Sequence, residues 1–143
     1  MNFRRIAGVG VLAALAAVLL HGENVKQVQG DESKDAPPVY ELRTYIAHNG
    51  KMEDLHKRFR EHTLKLFEKH GMKNIVYWTP LDKPDTLVYV IAHKSRDEAK
   101  KSWESFKNDP KWQAVYKKSH KNGPLVMKVE SQFLTATDYS PMK

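Results

Sequence analysis

The chain has 143 residues, 24 basic and 17 acidic side chains for a formal net charge of +7, 41% hydrophobic residues and no cysteine. That length points to one domain and that composition to an ordinary soluble one; the missing cysteines exclude disulfides, thiolate catalysis, zinc–thiolate sites and a lipid-modified N-terminal cysteine. Residues 1–38 hold four basic and four acidic side chains, so the whole excess charge sits on the rest, where a solvated lysine-rich surface is the first reading and an anionic ligand, a membrane surface or nucleic acid the second.

Arg4 and Arg5 precede an unbroken apolar run over residues 6–20. A basic start and a short apolar core are the layout of a secretory signal, expected here over residues 1–22. The run falls short of the ~18 residues of a membrane span. No small-x-small pair follows it, so an uncleaved N-terminal anchor is the alternative. The expected localisation is therefore exported, periplasmic or extracellular, with membrane contact only through that segment. Residues 23–38 lack aromatics, mix charges and end in Ala36-Pro37-Pro38, which predicts a disordered linker. The domain proper is expected over residues 39–143.

Residues 39–47 alternate, with Tyr40, Leu42, Thr44 and Ile46 on one face and Val39, Glu41, Arg43 and Tyr45 on the other, which predicts a first strand. His48-Asn49-Gly50 turns the chain, and Glu53 and Asp54 acidify the start of an amphipathic helix. At about 100° per residue, Leu55, Phe59 and Leu66 share a narrow arc, flanked by Met52, His62, Thr63 and His70. Lys57, Arg60, Glu61, Lys65 and Glu68 point the other way; Leu64 alone breaks the pattern. Lys69 and His70 suit the helix C-terminus, and Gly71 a left-handed cap.

Residues 73–80 predict a second strand, residues 81–85 a hairpin loop, and residues 86–93 a third strand whose continuous apolar character asks for cover on both faces. Ser95 and Glu98 form a capping box for a second helix with Ala99, Trp103 and Phe106 as its buried stripe. Asp109-Pro110 starts a third, lined on one side by Trp112, Val115, Tyr116 and Ser119, and Asn122-Gly123-Pro124 stops it. Residues 125–135 predict a fourth strand, with Leu125, Met127, Val129 and Phe133 on one face and Val126, Lys128, Glu130 and Gln132 on the other; residues 136–143 are a tail. This order is the α+β ferredoxin-like β-α-β-β-α-β arrangement, a four-stranded antiparallel sheet with helices on one face.

Several short motifs in sequence resemble the NIPSNAP family. They are Tyr40-Glu41-Leu42-Arg43-Thr44-Tyr45, Gly50-Lys51, Arg58-Phe59-Arg60-Glu61-His62-Thr63 and Lys69-His70-Gly71-Met72, then Tyr77-Trp78, Ala92-His93-Lys94-Ser95-Arg96, Asp109-Pro110-Lys111-Trp112 and Thr137-Asp138-Tyr139-Ser140-Pro141. The resemblance implies a homodimer in which two ferredoxin-like sheets pair as a dimeric α+β barrel around a pocket. Neighbouring families on that fold include cofactor-free oxygenases, isomerases and haem proteins. The family has no agreed reaction, and its better-known animal members are mitochondrial, a setting from which an exported chain departs.

The chemistry-bearing residues are few. Glu41, Arg43 and Tyr45 share one strand face and Lys128 and Glu130 share another; both faces are expected to turn away from the helices and supply a ligand's polar contacts, with Tyr89 and His93 on the third strand. His62, beside the apolar arc, is the candidate group titrating near neutral pH. Each has a plainer alternative: an ion-pair ladder for the charges, a half-buried side chain for His62 and a polar cap for His93. His56, His62 and His70 lack the i, i+4 spacing that presents two imidazoles to a metal, so no metal site is expected. No cofactor is called for; haem through a single histidine rests on fold analogy alone. Nucleic acid is not an expected partner, because an RNA-binding sheet stacks bases on aromatics of its third strand and only Tyr89 is there. Three functions fit: binding a small apolar or aromatic molecule in the barrel pocket, cofactor-independent oxygenase or isomerase chemistry, or a dimeric interaction module without a ligand.

Overall fold

The computed structural model describes residues 37–142; the expected signal and most of the expected linker lie outside them. Four strands, β1 (Val39–Ala47), β2 (Lys73–Trp78), β3 (Thr86–His93) and β4 (Val126–Leu134), form one antiparallel sheet in the order β2-β3-β1-β4. The first crossover is α1 (Met52–Arg58), a π-helical turn (Phe59–Thr63) and α2 (Leu64–Lys69); the second is α3 (Arg96–Asn108) and α4 (Pro110–Ser119). The order is the ferredoxin-like one, and β1 does pair with β4.

The predicted punctuation holds. Ser95 Oγ accepts from the Glu98 amide at 3.1 Å, and the Asp109 carboxylate accepts from the Lys111 amide at 2.7 Å beside Pro110. Gly71, at φ +77°, closes α2: its amide reaches the Glu68 carbonyl, and the amide of the buried Met72 reaches that of Phe67. These two bonds satisfy carbonyls that the helix end would orphan. Lys69 and His70 both donate to Asp109 across the gap, tying the end of α2 to the start of α4 and holding that carboxyl well below the usual carboxylate range.

The first crossover is not one regular helix. Its π-turn carries a Thr63 hydroxyl that donates to the Arg58 carbonyl five residues back, at 3.2 Å. Such a turn is one residue inserted into an α-helix. It resets the phase, so that Phe67 is 1% exposed and Leu64, out of place on a regular helix, packs against the core.

Helices cover one sheet face, the one carrying Tyr45, Ala47, Leu87, Tyr89 and Ile91. Glu41, Arg43 and Tyr45 lie on that face, opposite Ile91, Tyr89 and Leu87 of β3. The expectation that Glu41, Arg43 and Tyr45 turn away from the helices is overturned. Lys128 and Glu130 pair with Ile46 and Thr44 and so lie on the other face, after a register shift that leaves Met127 bulged and exposed. That second face carries Leu42, Ile46, Val88 and Val90, half-buried, and Tyr40 and Ala92, buried, with an exposed Trp78 ring beside Val88; no helix of the described residues covers it.

Candidate functional site

The predicted site residues fall into three places. Glu41 is 1% exposed, and its carboxylate accepts four bonds. One oxygen takes Arg43 and Ser131 Oγ (2.6 Å); the other takes Trp103 Nε1 (2.7 Å) and His93 Nε2 (2.9 Å). Burial would raise this carboxyl, but the bonds from His93, Ser131 and Trp103 and the Arg43 charge outweigh it and lower it to about 2. Arg43 lies 4.3 Å over the Trp103 ring and reaches the Tyr45 hydroxyl at 3.4 Å; with Tyr45, Tyr89 and Glu41 beside it, its pKa is raised against the effect of burial. His93 is buried beside it. This cluster fastens β1, β3 and β4 to α3, and every oxygen of its carboxylate is occupied.

Tyr89 is fully buried in an aromatic cluster with Tyr45, Phe59, Phe67 and Tyr77, where burial pushes its phenol well above the ordinary range. Lys128 and Glu130 form an exposed ion pair at 2.6 Å. His62 is half-buried in a groove between α1 and α4, with Glu61 at 3.7 Å.

A cavity of about 230 Å³ lies between the sheet and the helices, where Tyr45, Val126 and Val129 face Phe59, Trp112 and Tyr116. Of the predicted residues, Tyr45 lines it and Lys128, beside the register shift of the edge strand β4, borders it; Glu41, Arg43, His62, Tyr89, His93 and Glu130 do not. Arg58, Thr63 and His120 add polar character. His120 stacks on Tyr116 with centroids 3.9 Å apart, and its Nδ1 lies 2.7 Å from the Tyr116 carbonyl. A carbonyl only accepts, so Nδ1 carries hydrogen and the neutral ring keeps a lone pair on Nε2.

Arg58 is 6% exposed. Its guanidinium lies 5.3 Å from the Trp112 centroid and 5.9 Å from that of Tyr116, and donates to Ser119 Oγ at 3.3 Å. Among the described residues no carboxylate pairs with it, and its Nε is buried without a partner. The sequence did hold a signal: Arg58 follows Leu55 by three on the apolar side of the helix, and Trp112, Tyr116 and His120 recur every fourth residue.

Among the described residues no three His, Asp or Glu side chains converge as metal ligands, and no helix is long and apolar enough to cross a membrane. Haem does not fit this site. The cavity is smaller than the ~300–1,000 Å³ of ordinary ligand pockets, and the deeply buried His93 has its Nε2 committed to Glu41.

Fold and cavity together define an α+β ferredoxin-like domain of the kind found in dimeric α+β barrel proteins, with a small aromatic cavity between its layers. The chain belongs to the NIPSNAP family, whose model matches residues 40–141. It is similar to a NIPSNAP family protein of unknown function from Agrobacterium tumefaciens (19% identity, 75% of this chain and 95% of that one, TM-score 0.66). A NIPSNAP domain protein from Burkholderia xenovorans is similar too (23% identity, 72% and 98% coverage, TM-score 0.63). More distantly, SnoaB, a cofactor-independent oxygenase from Streptomyces nogalater, shares the fold (17% identity, 74% and 99% coverage, TM-score 0.54). No curated protein matches this chain.

Proposed function

We propose that this protein binds a small molecule with an aromatic or apolar body in the cavity between its sheet and its helices, and that it does so as a homodimer. The observation that carries the reading is the lining: Phe59, Phe67, Phe106, Trp112 and Tyr116 around about 230 Å³, room for one or two fused rings. The site lies within each chain, on the helix side of the sheet. The apolar face of Leu42, Ile46, Val88 and Val90, which no helix of the described residues covers, supports the pairing of two sheets. Mass spectrometry of an organic extract of protein made in its native host tests the binding. A stoichiometric aromatic compound, lost when Val126→Phe fills the cavity, is expected. Extracts without one, from protein that also binds no naphthalene derivative, would leave the dimeric interaction module in its place.

His120 favours a second reading. Its Nε2 can take a proton, which suits a cofactor-independent oxygenase or isomerase that begins by deprotonating its substrate, and SnoaB shares the fold. Oxygen uptake or isomerisation of the extracted compound, abolished in His120→Ala with binding retained, is the result this reading requires.

A further inference from the structure

A charge this deep in a protein is normally matched by an opposite one or neutralised. Arg58 is neither. It is 6% exposed, and among the described residues its Nε has no partner and its single side-chain hydrogen bond is the 3.3 Å contact to Ser119. Burial lowers its pKa, yet a guanidinium stays protonated in proteins. The aromatic faces of Trp112 and Tyr116, 5.3 and 5.9 Å away, hold the cation but offer no acceptor to its N–H groups. Asp54 and Glu61, the acids of the neighbouring groove, form no ion pair with it. The backbone here is itself irregular: Arg58 is the last residue before the π-turn, and Phe59 and Thr63 of that turn line the same cavity. Single π-turns recur at functional sites.

We propose that Arg58 is an anion-recognition residue, and that the cavity's ligand is an aromatic acid: a carboxylate or similarly planar anion on a ring system, its charge against Arg58 and its ring among Phe59, Trp112 and Tyr116. This rests on the reading of the cavity as a small-molecule site and adds the chemical class. A planar guanidinium matches a carboxylate with two parallel N–H···O bonds, which a lysine cannot. The anion supplies the acceptor that the protein withholds, and the ring fills the apolar remainder.

The test is calorimetric titration of the full chain with 1-naphthoate and with the neutral 1-naphthamide, matched in ring and shape. The acid is expected to bind at least tenfold more tightly than the amide in the wild type. In Arg58→Gln that preference disappears while amide binding stays; Arg58→Lys keeps part of it. Equal binding of acid and amide in the wild type overturns the anion assignment and leaves the aromatic cavity standing. A preference that survives Arg58→Gln also overturns it, assigning the effect to surface lysines such as Lys118 and Lys121. Absence of binding for both compounds overturns the cavity reading and this inference with it. Where Arg58→Gln does not fold, Arg58→Lys carries the comparison, since it keeps the buried charge and loses only the planar fork: a reduced preference supports the assignment and an undiminished one overturns it.

Discussion

Replacing Glu41 by Gln is the sharpest perturbation this fold offers. The side chain keeps its size but turns one acceptor oxygen into an amino group. Each oxygen now receives two donors, Arg43 with Ser131 and Trp103 with His93, so either orientation of the amide sets donor against donors and leaves Arg43 buried without its counter-charge. Breaking a buried charge pair from one side costs about 3–5 kcal/mol. The carboxyl's own shift gives a second figure: a fall from 4.5 to about 2 corresponds to roughly 3 kcal/mol of native-state preference for the charged form. The side chain is 2% exposed, so solvent screening takes little from it. At ~4–8 °C per kcal/mol for a domain of this size, the melting temperature should drop by roughly 10–40 °C. The folded value lies below the unfolded one, so the contribution is present above pH 4.5 and is lost as pH falls toward about 2; at pH ~3 about 2 kcal/mol of it should be gone. Urea unfolding of wild type and Glu41→Gln at neutral pH and in acid measures both effects. The variant should start lower and show a flatter acid limb. A variant within about 1 kcal/mol of wild type, with the same acid limb, would refute a stabilising role for the carboxylate.

Arg43→Ala should likewise destabilise by several kcal/mol, since it strands Glu41, whereas His62→Ala should leave both melting and naphthoate binding unchanged; thermal melts with calorimetry check both. Light scattering on residues 39–143 should report twice the monomer mass, and Leu42→Glu, on the uncovered sheet face, should give a folded monomer; a wild-type monomer at micromolar concentration would end the barrel pairing. Export predicts that N-terminal sequencing of native protein finds either a start near residue 22 or the intact chain in a membrane fraction; full-length protein in the cytosol would contradict it.

The fold was readable because its punctuation is local. Ser95, Asp109-Pro110 and Gly71 each fix a helix end through bonds spanning two to five residues, and those bonds form as the residue types require. The side of the sheet on which the helices lie was not readable. Alternation in β1 sorts Leu42 and Ile46 from Glu41, Arg43 and Tyr45, and hydrophobicity alone sends the first set inward. The structure sends the second, because Trp103, Ser131 and His93 arrive from three distant segments to satisfy Glu41. No window of sequence contains that network. The cavity has the same character, with walls from the first crossover, α4, β1 and β4. Within α4 a hint was visible, since Trp112, Tyr116 and His120 share a stripe that a plain core has no reason to end in histidine.

The π-turn allows one more prediction, about what the irregularity is for. At about 100° per residue, Phe67 stands twelve positions and some 120° away from Leu55, off the buried face of a regular helix; with one residue removed it stands eleven positions and some 20° away, on it. The observed burial follows the second count, so one residue within the turn is surplus to core packing. Glu61 is exposed, and among the described residues its ion-pair contact is His62 at 3.7 Å. Deleting Glu61 should therefore convert the turn to α-helix, keep Leu55 and Phe67 on the core side, and leave the melting temperature equal or higher. The same deletion removes the Thr63-to-Arg58 bond and re-aims the segment that carries Arg58, Phe59 and Thr63 past the cavity. Naphthoate affinity should fall at least tenfold in a protein that is no less stable. Hydrogen exchange across residues 52–69 would show the regularised helix directly. Should the deletion instead unfold the domain, the turn belongs to the core. Should stability and binding both persist, the irregularity has no part in shaping the site.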